Sequence, residues 1–107
     1  MARGWYVIHT YSGHEDKVKA SIEKTAVQQG LNERIFQLLI PTEDVVELRR
    51  NKKQVKKRKF FPGYVLVDMD VDNQTYWMIR NTAGVTGFLG GVNPTALSES
   101  EIQSIIQ

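Results

Sequence analysis

The chain has 107 residues, 41% of them hydrophobic and 24% charged, with a formal net charge of +2. These values fit one globular domain with a modest core and exclude a disordered polyelectrolyte. The sequence has no cysteine, which excludes disulfide frameworks and thiolate metal sites and fits the cytoplasm. No stretch approaches the roughly 18 apolar residues of a membrane span, and the N-terminal apolar run is too short for a signal peptide.

Residues 5–11 (WYVIHTY) are aromatic and β-branched and predict a buried strand. Ser12 with Glu15 three residues on has the spacing of a capping box and predicts the start of a helix. Val18, Ile22, Thr25 and Ala26 then share one helical face, and Gly30 is a stop signal. Residues 34–40 (RIFQLLI) predict a second strand, ended by Pro41. Residues 43–59 predict two strands joined at a turn over residues 50–53, a basic hairpin standing off the body.

Residues 63–71 alternate, with Tyr64, Leu66 and Asp68 on one face and Val65, Val67 and Met69 on the other. Asp72 or Asn73 then caps a short helix holding Tyr76, Trp77, Ile79 and Arg80. The glycine-bounded run GVTGFLGG predicts a short strand. Ser98 with Glu101 forms a second capping box, followed by an apolar stripe of Ile102, Ile105 and Ile106. The order is that of a ferredoxin-like, split β-α-β domain of the α+β class, with a basic hairpin inserted and helices expected on one side of the sheet. The last helix stops at Gln107 without a cap, so more protein is expected to follow.

Charge is distributed unevenly. Arg49, Arg50, Lys52, Lys53, Lys56, Lys57, Arg58 and Lys59 crowd one segment with no acid among them, while the remainder holds 6 bases and 12 acids. Such a projection on an acidic body points to an anionic partner, against the plainer reading of a solvated loop. Next to it, Phe60 and Phe61 cannot both enter one core, because successive strand residues face opposite ways. With Pro62 and Gly63 stiffening the corner, one of them and Tyr64 form a candidate binding anchor.

Catalytic patterns are weak. Asp68, Asp70 and Asp72 have the spacing of a Mg²⁺-binding set, a nuclease-like arrangement, yet a strand end running into a helix cap explains them more simply. His9 and His14 without cysteine make no zinc site, and neither a nucleophile elbow nor a phosphate loop is present. No catalytic residue, cofactor or metal is therefore expected. KFFPGYVLV partly matches the RNA-binding strand of an RRM, which leaves a free-standing single-stranded RNA-binding module as the alternative function.

Taken together, WYVIHTYSGHEDKV, PTEDVVELRRNKKQVKKRKFFPGYVLVDM, RNTAGVTGFLGG and the final capped helix resemble the N-terminal (NGN) domain of the NusG family of bacterial transcription elongation factors. The resemblance spans nearly the whole chain, and in the family a KOW domain follows through a linker. It implies a non-enzymatic cytoplasmic factor that modulates pausing and processivity. An apolar hollow involving Val7, His9, Phe61, Tyr64, Ile102 and Ile105 would hold the clamp helices of the largest RNA polymerase subunit. The eight hairpin cations, with Arg80, Asn81 and Thr82, would approach upstream duplex and non-template DNA. Rho or the ribosome would be partners of the C-terminal domain, and no membrane is implied.

Overall fold

Alternating apolar positions in two runs, residues 3–10 and 64–70, build the centre of the molecule. The computed structural model describes residues 3–49, 52–59, 62–91 and 94–106. Its elements are β1 (Arg3–Thr10), α1 (Glu15–Gln28), β2 (Ile35–Leu39), β3 (Thr42–Arg49), β4 (Lys52–Lys59), β5 (Tyr64–Asp70), α2 (Asn73–Arg80), β6 (Val85–Phe88) and α3 (Glu99–Ile106). Four strands form one antiparallel sheet in the order β2-β5-β1-β6. β5 separates β1 from β2, and β1 separates β5 from β6, so each β-α-β unit is split by a strand of the other. This is the ferredoxin-like α+β arrangement expected from the element order. β3 and β4 pair only with each other, as an eight-rung ribbon from Thr42↔Lys59 to Arg49↔Lys52. Lys52 and Lys53 of the expected turn belong to β4, and Arg50 and Asn51 lie outside the described residues.

One face of the sheet carries the core. Tyr6 and Ile8 of β1 and Val65, Val67 and Met69 of β5 meet Val18, Ile22 and Ala26 of α1 and Met78 and Ile79 of α2. Each Val, Ile and Met among them contributes about 1.5–3 kcal/mol on burial, an upper figure because unfolded chains are themselves partly compact. α1 ends as Gly30 predicts. Gly30 (φ +70°) donates to the Val27 carbonyl and Leu31 to the Ala26 carbonyl, a Schellman closure. Gly84 (φ +96°) lets the turn into β6 approach α1, since a Cβ there would stand 2.9 Å from Val18 Cγ2.

Two expectations fail. α1 starts at Glu15 after His14, with no side-chain cap bond, so Ser12 and Glu15 form no capping box. Glu15 is instead fully buried and accepts a 2.6 Å hydrogen bond from the Gly63 N–H, a tertiary demand that overrides the local motif. The helices also do not all lie on one side. Ile102 of α3 is buried outside the main core and shares a cleft of about 410 Å³ with Trp5, whose neighbour Tyr6 points into that core. α3 therefore covers the opposite face. Its own cap is as expected: Glu101 N–H donates to Ser98 Oγ at 3.2 Å and Ser98 N–H to Glu101 Oε1 at 3.0 Å.

Candidate functional site

The face opposite the core is laid out by the β1–β5 register. Trp5 lies opposite Asp68, Val7 opposite Leu66 and His9 opposite Tyr64. Residues directly opposite share a face, so these six form three adjoining rungs on the two central strands. Val7 (7% exposed) and Leu66 (1% exposed) make a dry apolar floor. At one end the half-buried His9 and Tyr64 rings meet edge to face, with centroids 4.7 Å apart. At the other, Asp68 pairs with Arg3 at 3.2 Å, and the Arg3 guanidinium lies 3.9 Å from the centre of the Phe36 ring.

The corner that leads into Tyr64 is fixed from below. The Gly63 carbonyl accepts from the Thr10 N–H at 2.8 Å, while its own N–H binds Glu15. Two features demand glycine here: a φ of +86°, and the closeness of the Thr10 carbonyl oxygen, which would stand only 3.1 Å from a Cβ at this position. Pro62 beside it is exposed. Of the expected hollow residues, Val7, His9 and Tyr64 come together and buried Ile102 lies on the helix over the same face. Phe61 lies outside the described residues, as does the side chain of Ile105, which sits one turn after Ile102 in α3. Leu66 shares this face unexpectedly, opposite Val7, although its alternation with Tyr64 signals it. Glu15 gives no usable signal in the sequence, because its partner is 48 residues away.

The ribbon holds Arg49 and Lys52 at one end and Lys56, Lys57, Arg58 and Lys59 towards the other. Lys52 and Lys53 are exposed, as is Val55 (66%). Arg80, Asn81 and Thr82 cluster at the end of α2. Arg80 and Asn81 are exposed, Asn81 N–H caps the Trp77 carbonyl at 3.0 Å, and Thr82 Oγ1 donates to the Met78 carbonyl at 2.9 Å. The Thr82 hydroxyl proton is thus already used by the helix end. Asn81 and Thr82 also border a groove of about 490 Å³ between α1 and α2, beside Trp77, which is half exposed.

Two of the three aspartate carboxylates have structural occupations, Asp68 with Arg3 and Asp72 at the start of α2. Asp72 caps α2, accepting from the Thr75 N–H at 2.9 Å, and pairs with Arg34 at 2.6 Å. Burial alone raises the Asp72 pKa, but the Thr75 hydrogen bond and the Arg34 charge outweigh it and hold the carboxyl below its ordinary value. The Asp70 carbonyl accepts from Thr75 Oγ1 at 2.9 Å. Among the described residues, no three His, Cys, Asp or Glu side chains are grouped to hold a metal ion. Nor is any helix among them long and apolar enough to cross a membrane.

A split β-α-β sheet with an edge-to-face His9–Tyr64 pair on one face and a two-stranded ribbon inserted between β2 and β5 has the architecture of an N-terminal domain of the kind found in NusG-type transcription factors. The chain belongs to the NusG family: the family model "Transcription termination factor nusG" matches residues 3–106. It is 43% identical over 111 residues to the transcription termination/antitermination protein NusG of Bacillus subtilis, covering all of this chain and 63% of that protein. It is 45% identical over 114 residues to the protein of the same name from Thermus thermophilus, again covering all of this chain and 62% of that protein. The chain thus spans less than two thirds of these relatives' length. A solved structure of Thermotoga maritima NusG, which records a domain interaction, matches with a TM-score of 0.79 at 31% identity, over 99% of this chain and 56% of that one.

Proposed function

We propose that this domain is a transcription elongation module that clamps onto RNA polymerase and touches DNA at the upstream fork, modulating pausing and processivity. The observation that carries the reading is the His9–Tyr64 ring pair standing over the Val7–Leu66 floor. A half-buried aromatic rim beside an apolar floor suits the apolar side chains of a partner helix, the helix-in-groove mode of recognition. The occupant is the pair of clamp helices of the largest polymerase subunit, gripped by Val7, His9, Tyr64 and Ile102, with Phe61 and Ile105 completing the set. The Glu15–Gly63 hydrogen bond holds the Tyr64 corner in place before the partner arrives, which reduces the ordering cost of binding. The ribbon and the Arg80–Asn81–Thr82 end of α2 lie along upstream duplex and non-template DNA. Holding polymerase and DNA together stabilises the closed clamp without covalent chemistry. Partners such as Rho or the ribosome belong to a C-terminal domain.

Capture of core RNA polymerase by the purified domain, followed by an elongation time course with and without it, tests this reading. Tyr64→Ala is expected to weaken capture by about 2 kcal/mol, roughly 30-fold, as loss of a central aromatic anchor does. Its melting temperature should stay near that of the wild type, because Tyr64 is only half buried. Wild-type affinity in the variant would refute the hollow as the docking face. Tight binding of single-stranded RNA without polymerase capture would favour the RRM-like alternative.

A further inference from the structure

We infer that Tyr11 and His14 form a further nucleic-acid subsite, an aromatic platform on which one unpaired base of the non-template strand stacks, next to the base edge offered to Asn81. This rests on the polymerase- and DNA-binding function proposed above. Tyr11 is 62% exposed and His14 is exposed, and their rings meet edge to face with centroids 5.9 Å apart. Tyr11 follows directly on β1, whose last residue, Thr10, is buried. Its backbone is held on both sides. The Tyr11 N–H donates to the Gly84 carbonyl at 3.1 Å, and the Tyr11 carbonyl accepts from the His14 N–H and from Thr10 Oγ1, each at 3.0 Å. The backbone is fixed while the ring stands in water, so a ligand that covers the ring meets a platform already in place, at a reduced ordering cost.

The bond to Gly84 seats the pair at the turn that follows α2. Gly84 is three residues beyond Asn81, at most about 11 Å along the chain, and the Val85 N–H bond to the Thr82 carbonyl, at 3.1 Å, folds that turn back. A Cβ at Gly84 would stand 3.5 Å from His14 Cβ, so the His14 side chain lies against the same turn. On α1, His14, Lys17 and Ser21 fall on one side of the helix by their spacing of three and four. Ser21 lines the α1–α2 groove, which Asn81, Thr82 and Ala83 border from the other side. The groove therefore opens, at its Asn81 end, onto the Tyr11–His14 pair. Lys17 and Arg80, both exposed, flank this opening with positive charge that suits phosphates, while Asp16 is two residues from His14 and so faces elsewhere on the helix. A single strand supplies both matching chemistries, flat bases for the rings and phosphates for the cations. Every base has a π-face, so stacking fixes where the strand lies without choosing its sequence, and base choice is left to the Asn81 amide.

The test compares three forms of the 107-residue chain, the wild type, Tyr11→Ala and Tyr11→Phe, for affinity to core-polymerase elongation complexes assembled with and without the non-template strand. Tyr11→Ala should bind the complete complex roughly fivefold to a hundredfold more weakly, the range of one lost base–aromatic stack. It should match the wild type on the complex that lacks the strand, and Tyr11→Phe, which keeps the ring, should match the wild type on both. A 5-iodouracil placed in turn at each unpaired non-template position should cross-link to Tyr11 or His14 at one of them. Wild-type affinity of Tyr11→Ala for the complete complex overturns the inference, and so does a cross-link that never reaches either residue. Equal weakening of Tyr11→Ala on both complexes overturns it too, because the ring then faces polymerase and not DNA. In each of these cases cross-links at Arg80, Asn81 or Thr82 would leave the proposed function standing. A wild-type chain that binds neither complex, or that cross-links to no non-template position at all, refutes that function and this inference with it.

Discussion

Replacing Glu15 by Ala should unfasten the corner that carries Tyr64. Glu15 is fully buried, and its Oε2 receives the N–H of Gly63, itself buried, at 2.6 Å. Truncation strands that N–H, which costs about 1–3 kcal/mol for a buried donor left unpaired. It also removes one buried methylene, worth roughly 0.8 kcal/mol. The sum, about 2–4 kcal/mol, is a large share of the 5–15 kcal/mol that typically holds a domain together. At about 4–8 °C per kcal/mol for a domain near this size, melting followed by circular dichroism should fall by roughly 10–30 °C. Glu15→Gln keeps the methylenes and an acceptor oxygen, so it should cost about 1 kcal/mol or less. Below its melting range, Glu15→Ala should also capture polymerase more weakly than Glu15→Gln, because the corner must then be ordered on binding. If Glu15→Ala melts within about 2 °C of the wild type, the hydrogen bond does not fasten the corner and the reasoning fails.

Gly84→Ala should destabilise by about 1–3 kcal/mol, because a left-handed φ must carry a Cβ that also meets Val18 Cγ2; an unchanged urea midpoint would contradict this. Asp72→Ala removes the α2 cap and should cost about 0.5–2 kcal/mol at neutral pH. Because the folded pKa of Asp72 lies below its unfolded value, its contribution is present above the unfolded value of about 4 and disappears as pH falls through the folded one. Urea melts at neutral and strongly acid pH should therefore show the gap between variant and wild type closing at low pH; a constant gap would count against the ionised cap. Asn81→Ala should leave polymerase capture intact while changing the pause map on templates whose non-template bases are varied one at a time. The expected discrimination is about 1–3 kcal/mol per side-chain amide contact, and identical maps would reduce Asn81 to a helix end. Thr82→Ala should in addition lower the melting temperature, since its hydroxyl holds the Met78 carbonyl.

Periodicity makes most of the fold legible in the sequence. The two-residue alternation of β5 reappears in the core, as do Val18, Ile22 and Ala26 of the α1 face, while Thr25 is half buried at the α1–α2 groove. Local motifs are less dependable. Ser12 with Glu15 and Ser98 with Glu101 have the same spacing, yet only the second pair caps a helix. The difference is the Gly63 N–H waiting 48 residues away, which no local pattern reveals. The stripe on α3 shows that the helix packs, but a stripe carries no information about which layer it packs on. For the site, alternation places Tyr64 and Leu66 together, and β1 supplies Val7 and His9 opposite them only once the register is known. Trp77, grouped with the helix residues by sequence, is half exposed over the α1–α2 groove.

The ribbon leaves the sheet and returns to it at neighbouring points. Leu39 at the end of β2 is paired with Leu66 of β5, and the first ribbon rung, Thr42↔Lys59, follows directly. In topological terms the ribbon is a detachable excursion within what would otherwise be an ordinary hairpin connection. Closing a longer or shorter loop between fixed ends changes the folding free energy only logarithmically, by about 0.6 kcal/mol per doubling of its length. Evolution can therefore lengthen, recharge or trim the projection while the sheet beneath it stays the same. Replacing the whole excursion by a short Asn-Gly turn should leave a body that melts close to the parent temperature; collapse of that body would show that the projection is a folding partner and not an appendage.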